Sequence, residues 1–91
     1  LSSFLLKKDI EVVALGGSAD STDKIIQIIR KFPLSDITIF IVQHFPDNEE
    51  NLLSDILSDI TNFVVKKPFN GEIIQKRHIY IAPSGFHMYI K

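Results

Sequence analysis

A serine and a histidine in this chain each follow a short apolar run directly. Ser18 comes after Gly16 and Gly17 at the end of the first run, and His44 comes after Gln43 at the end of the second. A serine hydroxyl becomes a nucleophile when a base takes its proton, and histidine is the usual base near neutral pH. Backbone N–H groups at a helix start can stabilise the resulting oxyanion. These residue types therefore suggest acyl-transfer chemistry, with Ser18 as nucleophile and His44 as general base.

The same residues also have a purely structural explanation. A nucleophile elbow has the pattern Gly-x-Ser-x-Gly, and Asp20 stands where its last glycine would be. Ser18 could instead be a turn or capping serine, and His44 an ordinary residue at a strand end. A triad also needs a third group, normally a carboxylate, to orient the histidine. Taken alone, the pattern favours the structural interpretation.

Two apolar runs predict the strands that would position these residues. Residues 10–15 and 37–42 are almost continuously apolar, which is typical of strands buried on both faces of a parallel sheet. Apolar residues at helical spacing follow the first run, and Pro33 ends that helix. The residues of this helical stripe are Ile25, Ile28, Ile29 and Phe32. A second helical stripe follows the second run and consists of Leu52, Leu53, Ile56, Leu57 and Ile60.

The rest of the chain predicts shorter strands. We expect them at 63–65, 78–82 and 86–90, with a turn at Asn70 and Gly71. The last two strands are interpreted as a hairpin-like pair. The order βαβαβ followed by this pair predicts an α/β fold with a doubly wound, mainly parallel sheet.

This architecture brings the two candidate residues to one edge of the sheet. The carboxyl ends of parallel strands meet at the same edge, which is where open α/β sheets place their chemistry. Ser18 and His44 each lie just past such an end. We therefore expect the Ser18 hydroxyl oxygen and the His44 ring to lie within about 3–6 Å of each other.

The composition excludes several classes of function. The chain has 91 residues and a formal net charge of −1, which gives no electrostatic footprint for nucleic acid. It contains no cysteine, so neither a disulfide framework nor a thiolate zinc site is expected. This suits a reducing compartment, and we expect a cytoplasmic protein. No apolar run approaches the roughly 20 residues of a membrane span, so no membrane partner is expected.

Several motifs, in the same order and at similar spacing, resemble the chemotaxis protein-glutamate methylesterase (CheB) domain. That family has an Ile-Gly-Ala-Ser-Thr-Gly-Gly turn, followed one helix and one strand later by Gln-His-Met-Pro. Further on it has Asp-Gly, Tyr-Ile-Ala-Pro-Gly and His-Met segments. The similarity extends from about residue 11 to residue 91. The corresponding segments here are Leu15-Gly16-Gly17-Ser18, Val42-Gln43-His44-Phe45-Pro46, Asn70-Gly71, Tyr80-Ile81-Ala82-Pro83-Ser84-Gly85 and His87-Met88.

The resemblance implies hydrolysis of γ-glutamyl methyl esters on chemoreceptors and deamidation of receptor glutamines, without a metal or other cofactor. By position, Ser18 would be the nucleophile and His44 the general base. Ala19 falls where the family has a threonine, and Ala19 and Gly17 would contribute to oxyanion or substrate binding. The implied partners are methylated cytoplasmic helices of chemoreceptors, and in addition a receiver domain or a missing C-terminal half.

The chain also departs from the family pattern. Asp20 and Ser21 replace two glycines, which places a negative charge near a developing oxyanion, and Phe45 replaces a methionine. Residues 1–9 are interpreted as a lead-in, and 10–91 as the N-terminal part of the family's domain. The catalytic aspartate is expected to lie outside this chain. We therefore expect the chain alone to be inactive and to self-associate through an exposed apolar edge.

Two other functions stay open at this point. The first is a pyrophosphatase-loop ATP-binding domain, whose signature is Ser-Gly-Gly-x-Asp-Ser after the first strand. This chain has one residue too many between Gly17 and Asp20, and the register of backbone N–H groups matters for phosphate binding. That alternative also leaves the Gln-His-Phe-Pro segment unexplained. The second is a non-catalytic interaction domain that retains the fold.

Overall fold

The computed structural model of this chain describes residues 3–6, 11–17, 21–43, 49–83 and 87–90. Strands and helices alternate through its central part, as the sequence predicts. In chain order the elements are β1 (Ser3–Leu6), β2 (Glu11–Gly17), α1 (Thr22–Lys31), β3 (Ile37–Gln43), α2 (Glu49–Ile60), β4 (Val64–Lys66), β5 (Glu72–Ile73), β6 (His78–Pro83) and β7 (His87–Ile90).

The described strands form two sheets, and every described pairing between strands is parallel. One sheet has the order β2-β3-β6-β4, and the other has the order β5-β1-β7. The predicted α/β class with a mainly parallel, doubly wound sheet is thus confirmed. The prediction that the first two apolar runs form neighbouring parallel strands with a helix between them is also confirmed.

Both of these strands extend further than their apolar runs. Strand β2 continues through Gly16 and Gly17, and β3 continues through Gln43. The extension follows from pairing, because the parallel register between the two strands is maintained up to Gly17 opposite Gln43. The two glycines therefore belong to the strand.

The hairpin-like arrangement of the last two strands is wrong. Strand β6 pairs with β3 and β4, whereas β7 pairs with β1 in the other sheet. The physical reason is that Ile79, Tyr80 and Ile81 are buried on both faces of β6, which is typical of an inner strand of a parallel sheet and not of a strand in an exposed hairpin. The predicted lead-in also contains a strand, β1, whose partners β5 and β7 lie far along the chain. A four-residue run carries no local signal for such distant pairing.

Both helices pack on the same face of the β2-β3-β6-β4 sheet. Helix α1 ends at Lys31, two residues before Pro33, and the Phe32 N–H closes it by donating to the Ile29 carbonyl at 3.1 Å. No helix in the described part of the chain is long and apolar enough to cross a membrane. The buried residues of the shared core are Ile25, Ile29, Ile39, Ile41, Leu53, Leu57, Phe63, Ile79 and Ile81.

The opposite face of this sheet buries a smaller cluster of Phe40, Tyr80 and Ile74. The Phe40 and Tyr80 rings stack with their centroids 5.2 Å apart. The segment that contributes Ile74 follows the predicted turn at Asn70 and Gly71. Gly71 has a φ of 83°, a left-handed value that glycine adopts without strain. This turn therefore directs the chain back across the sheet.

Candidate functional site

Three neighbouring strands end at the same edge of the sheet. Gly17 at the end of β2 lies opposite Gln43 at the end of β3, and Gln43 lies opposite Pro83 at the end of β6. Neighbouring strands in a sheet are about 4.8 Å apart. The three strands therefore end side by side. Gly17, the last residue of β2, directly precedes Ser18, and Gln43, the last residue of β3, directly precedes His44. This is the edge at which α/β folds bind their ligands.

The structure describes one of the four predicted site residues. Gly17 is described as the last residue of β2, where it is paired with Gln43. Ser18, Ala19 and His44 lie outside the described residues. The expected approach of the Ser18 hydroxyl to the His44 ring therefore stays a prediction. The fold shows that Gly17 and Gln43, the residues directly before Ser18 and His44, are neighbours in the sheet.

The N-terminus of α1 faces this part of the chain. The helix begins at Thr22, and Ser21 occupies its N-cap position with φ −87° and ψ −2°. The Ser21 side chain makes no capping hydrogen bond within the described structure. The first N–H groups of a helix have no partner within that helix and carry a partial positive charge. Such groups are suited to stabilising an oxyanion close to the start of the helix.

Gln43 is a polar residue of this edge that the sequence did not single out for a role. Its side chain is 3% exposed, and its Nε2 donates a hydrogen bond to Thr22 Oγ1 at 3.2 Å. Its Oε1 is buried and has no hydrogen-bond partner among the described residues. The signal in the sequence is a glutamine at the end of a strand whose preceding residues are almost all apolar.

Two described candidates for acid or base chemistry, Glu72 and His78, lie away from this edge. Glu72 is buried, but its oxygens accept hydrogen bonds from Lys66 Nζ at 2.6 Å and the Phe69 N–H at 2.9 Å, and it lies in the other sheet. His78 begins β6 at the opposite end of the sheet, where its Nδ1 lies 2.8 Å from the Lys76 carbonyl oxygen. Within the described ranges, no group of three or more potential ligands could hold a metal ion.

Comparison with known proteins identifies the family. Residues 13–91 match the family model of the CheB methylesterases. The chain is 35% identical over 80 residues to a protein-glutamate methylesterase/protein-glutamine glutaminase of Clostridium acetobutylicum, covering 87% of this chain and 23% of the relative. It is 37% identical over 82 residues to the protein of the same name from Oceanobacillus iheyensis, covering 88% of this chain and 23% of the relative.

A relative from Escherichia coli K12 with the same name is 32% identical over 78 residues, which cover 86% of this chain and 22% of the relative. This chain belongs to the CheB methylesterase family. It spans less than a quarter of the length of these three relatives.

Proposed function

We propose that this chain carries the nucleophile and the general base of a protein-glutamate methylesterase. The substrates would be γ-glutamyl methyl esters on the cytoplasmic helices of chemoreceptors, and the protein would accordingly act in the cytoplasm. The observation that carries the proposal is the register of β2 and β3. Gly17 and Gln43 lie opposite each other, directly before Ser18 and His44. Family membership and the names of the relatives support the choice of substrate class.

In the proposed reaction, Ser18 Oγ attacks the ester carbonyl while His44 takes the hydroxyl proton. N–H groups at the start of α1, together with that of Ala19, would stabilise the oxyanion. His44 then returns the proton to the leaving methoxide, and methanol departs. Water, activated by His44, hydrolyses the acyl-enzyme and leaves a glutamate carboxylate. With a glutamine substrate the leaving group would be ammonia.

The histidine of such a pair needs a carboxylate to hold its productive tautomer. Glu72, the buried carboxylate of the described residues, lies in the other sheet and is already bound by Lys66 Nζ and by the Phe69 N–H. In this proposal the orienting acid comes from a segment outside these residues, and loss of such a group lowers kcat by about 10⁴-fold. The 91-residue chain alone would therefore turn over methyl esters poorly.

The decisive experiment measures methanol release from a methylated receptor fragment. The chain would be assayed alone, mixed with a complementing C-terminal part of a relative, and within the full polypeptide that contains it. We expect turnover in the second and third cases, with loss on Ser18→Ala or His44→Gln. Ser58→Ala is the matched control, because Ser58 is exposed on α2.

Fast turnover by the chain alone, lost on Ser18→Ala, would show that the orienting acid is within these residues. Activity of the full polypeptide that survives Ser18→Ala would contradict the proposed nucleophile. Complete inactivity of the full polypeptide, with no labelling of Ser18 by a serine-reactive organophosphonate, would favour a non-catalytic interaction domain.

Calorimetric titration with Mg-ATP tests the alternative function, nucleotide binding. We expect no stoichiometric heat, because the turn after β2 differs by one residue from the pyrophosphatase-loop signature. A phosphate-dependent signal that disappears on Gly17→Ala would instead favour the nucleotide-binding function.

A further inference from the structure

We propose that Gln43 is a positioning residue that sets the geometry between the nucleophile and the base. This inference rests on the proposed function. Its basis is the hydrogen bond from Gln43 Nε2 to Thr22 Oγ1, which joins the end of β3 to the start of α1. Gln43 directly precedes His44 in the chain, and Thr22 is the first residue of α1, four positions after Ser18. This side-chain contact thus joins the residue before the proposed base to the helix that follows the proposed nucleophile.

The position of Gln43 along β3 determines the face of the sheet on which its side chain lies. Ile39 and Ile41 precede Gln43 at intervals of two residues along β3, and both pack into the core beneath the helices. Because side chains of a strand alternate between faces, Gln43 also points to the helix side. There it meets the first turn of α1. The sheet fixes the backbone of Gln43 on both sides, through Gly17 and Pro83. The amide is therefore held by a rigid element.

The burial of this amide indicates more than core packing. An apolar residue would fill the end of the strand without desolvating polar atoms, as the preceding isoleucines do. Gln43 instead buries its amide and satisfies one side of it, and the described structure offers Oε1 no donor. Buried polar atoms without partners are uncommon, and each needs an explanation such as a bound water or a functional role. Oε1 therefore remains an acceptor at the edge where the reaction is proposed.

The expected role of this contact is to limit the separation of two reacting groups. A misplacement of about 1 Å between reacting atoms can cost about 100-fold in rate. The contact adds a side-chain link between the start of α1 and the end of β3 to the backbone pairing of β2 with β3. We therefore expect its removal to lower kcat by about 10- to 100-fold. KM should change little, because the buried amide does not form a substrate-binding surface.

The test uses the full polypeptide containing this chain and the methylated receptor fragment as substrate. Gln43→Met and Thr22→Val each remove the hydrogen bond at nearly constant volume. We expect kcat to fall in both, and the double variant to be no slower than Gln43→Met, because both changes break one contact. Thr22→Ser keeps the hydroxyl and should recover most of the loss caused by Thr22→Val.

Gln27→Met is the matched control, because Gln27 is an exposed glutamine on α1. Thermal unfolding of each variant separates positioning from stability. If Gln43→Met does not fold, Thr22→Val and Thr22→Ser provide the same comparison at a half-buried position. The rate of Ser18 labelling by an organophosphonate reports on the nucleophile independently of the receptor substrate.

The positioning role would be overturned by variants that unfold at lower temperature but keep the wild-type kcat per folded molecule. Additive losses in the double variant, or a Thr22→Ser variant as slow as Thr22→Val, would also overturn it. Failure of the proposed function looks different. In that case the wild-type polypeptide would neither hydrolyse the ester nor react at Ser18, and the role of Gln43 would be rejected with it.

Discussion

The two faces of the β2-β3-β6-β4 sheet are covered by different kinds of structure. On one face, α1 and α2 pack on an apolar cluster of isoleucines and leucines. On the other face, an irregular segment that includes Gln75 crosses over buried aromatic rings. There, Thr38 Oγ1 donates to the Gln75 carbonyl oxygen at 2.7 Å, and the Gln75 N–H donates to Tyr80 Oη at 3.0 Å.

The element that covers each face of the sheet determines which kinds of side chain can lie beneath it. A helix satisfies the backbone groups of its interior by itself, so the face under a helix can be purely apolar. An irregular segment has backbone donors and acceptors that must find partners elsewhere when they are buried. Thr38 and Tyr80 supply both partners to one residue. Stability should therefore depend on apolar volume at one face and on hydroxyl groups at the other.

The largest expected effect is the loss of apolar volume on the helix face. Leu57 is 0% exposed, and Leu57→Ala should lower the free energy of unfolding by about 2–5 kcal/mol because it leaves a cavity. Urea unfolding measures this change. Leu52→Ala on the same helix is the control, since Leu52 is 60% exposed and should lose about 0.5 kcal/mol or less. Equal effects at the two positions would contradict the described orientation of α2.

The next effect is the loss of a hydroxyl on the opposite face. Tyr80→Phe keeps the ring stacked on Phe40 but removes the acceptor of the Gln75 N–H. We expect a loss of about 0.5–1.5 kcal/mol, the usual net contribution of one hydrogen bond, because this bond is only partly buried; urea unfolding again measures it. Thr38→Val removes the other partner of Gln75 at constant volume. Because both changes release the same residue, their combined loss should differ from the sum. Strict additivity would show that the two hydroxyls act independently.

A smaller effect should appear at alkaline pH. Burial raises the pKa of Tyr80 above its usual value, the negative charge of Glu72 raises it further, and the hydrogen bond from the Gln75 N–H lowers it. The unfolded chain then loses this proton at lower pH than the folded chain does. Below about pH 10, ionisation of Tyr80 does not change the free energy of unfolding. Above about pH 10, it lowers the free energy of unfolding by up to about 1.4 kcal/mol per pH unit. Urea unfolding of wild type and Tyr80→Phe between pH 8 and 11 should show a shallower decline in the variant. Parallel curves would exclude this contribution.

The smallest effect concerns an ion pair in which both side chains are exposed. Arg77 Nε lies 2.8 Å from Asp36 Oδ1, and the two side chains are 61% and 64% exposed. Solvent screens such pairs, so Asp36→Asn should change the free energy of unfolding by about 0.5 kcal/mol or less. A loss comparable to that of Tyr80→Phe would mean that exposed charges matter as much here as buried hydroxyl groups. Comparison at low and high salt would then identify the electrostatic part.

The candidate site was predictable in part. Ser18 and His44 follow from residue type, from their positions after two apolar runs and from family resemblance, and the fold confirms that the preceding residues are neighbours. The contact between Gln43 and Thr22 was not predictable. It depends on how far β3 extends past its apolar run and on where α1 begins. Neither boundary is set by periodicity, because a glutamine or a threonine fits a strand end, a turn or a helix start.

The sequence by itself determined the types and order of the central elements. Apolar runs of β-branched residues specify β2 and β3, and helical spacing specifies α1 and α2, because these signals arise from neighbours in the chain. The tertiary structure was needed to establish that β6 lies between β3 and β4, and that β7 pairs with β1. It also decided that the backbone of Gln75 is held by Thr38 and Tyr80. Strand partners and the hydrogen bonds of a covering segment depend on groups far apart in the sequence, and only their joint burial selects one arrangement.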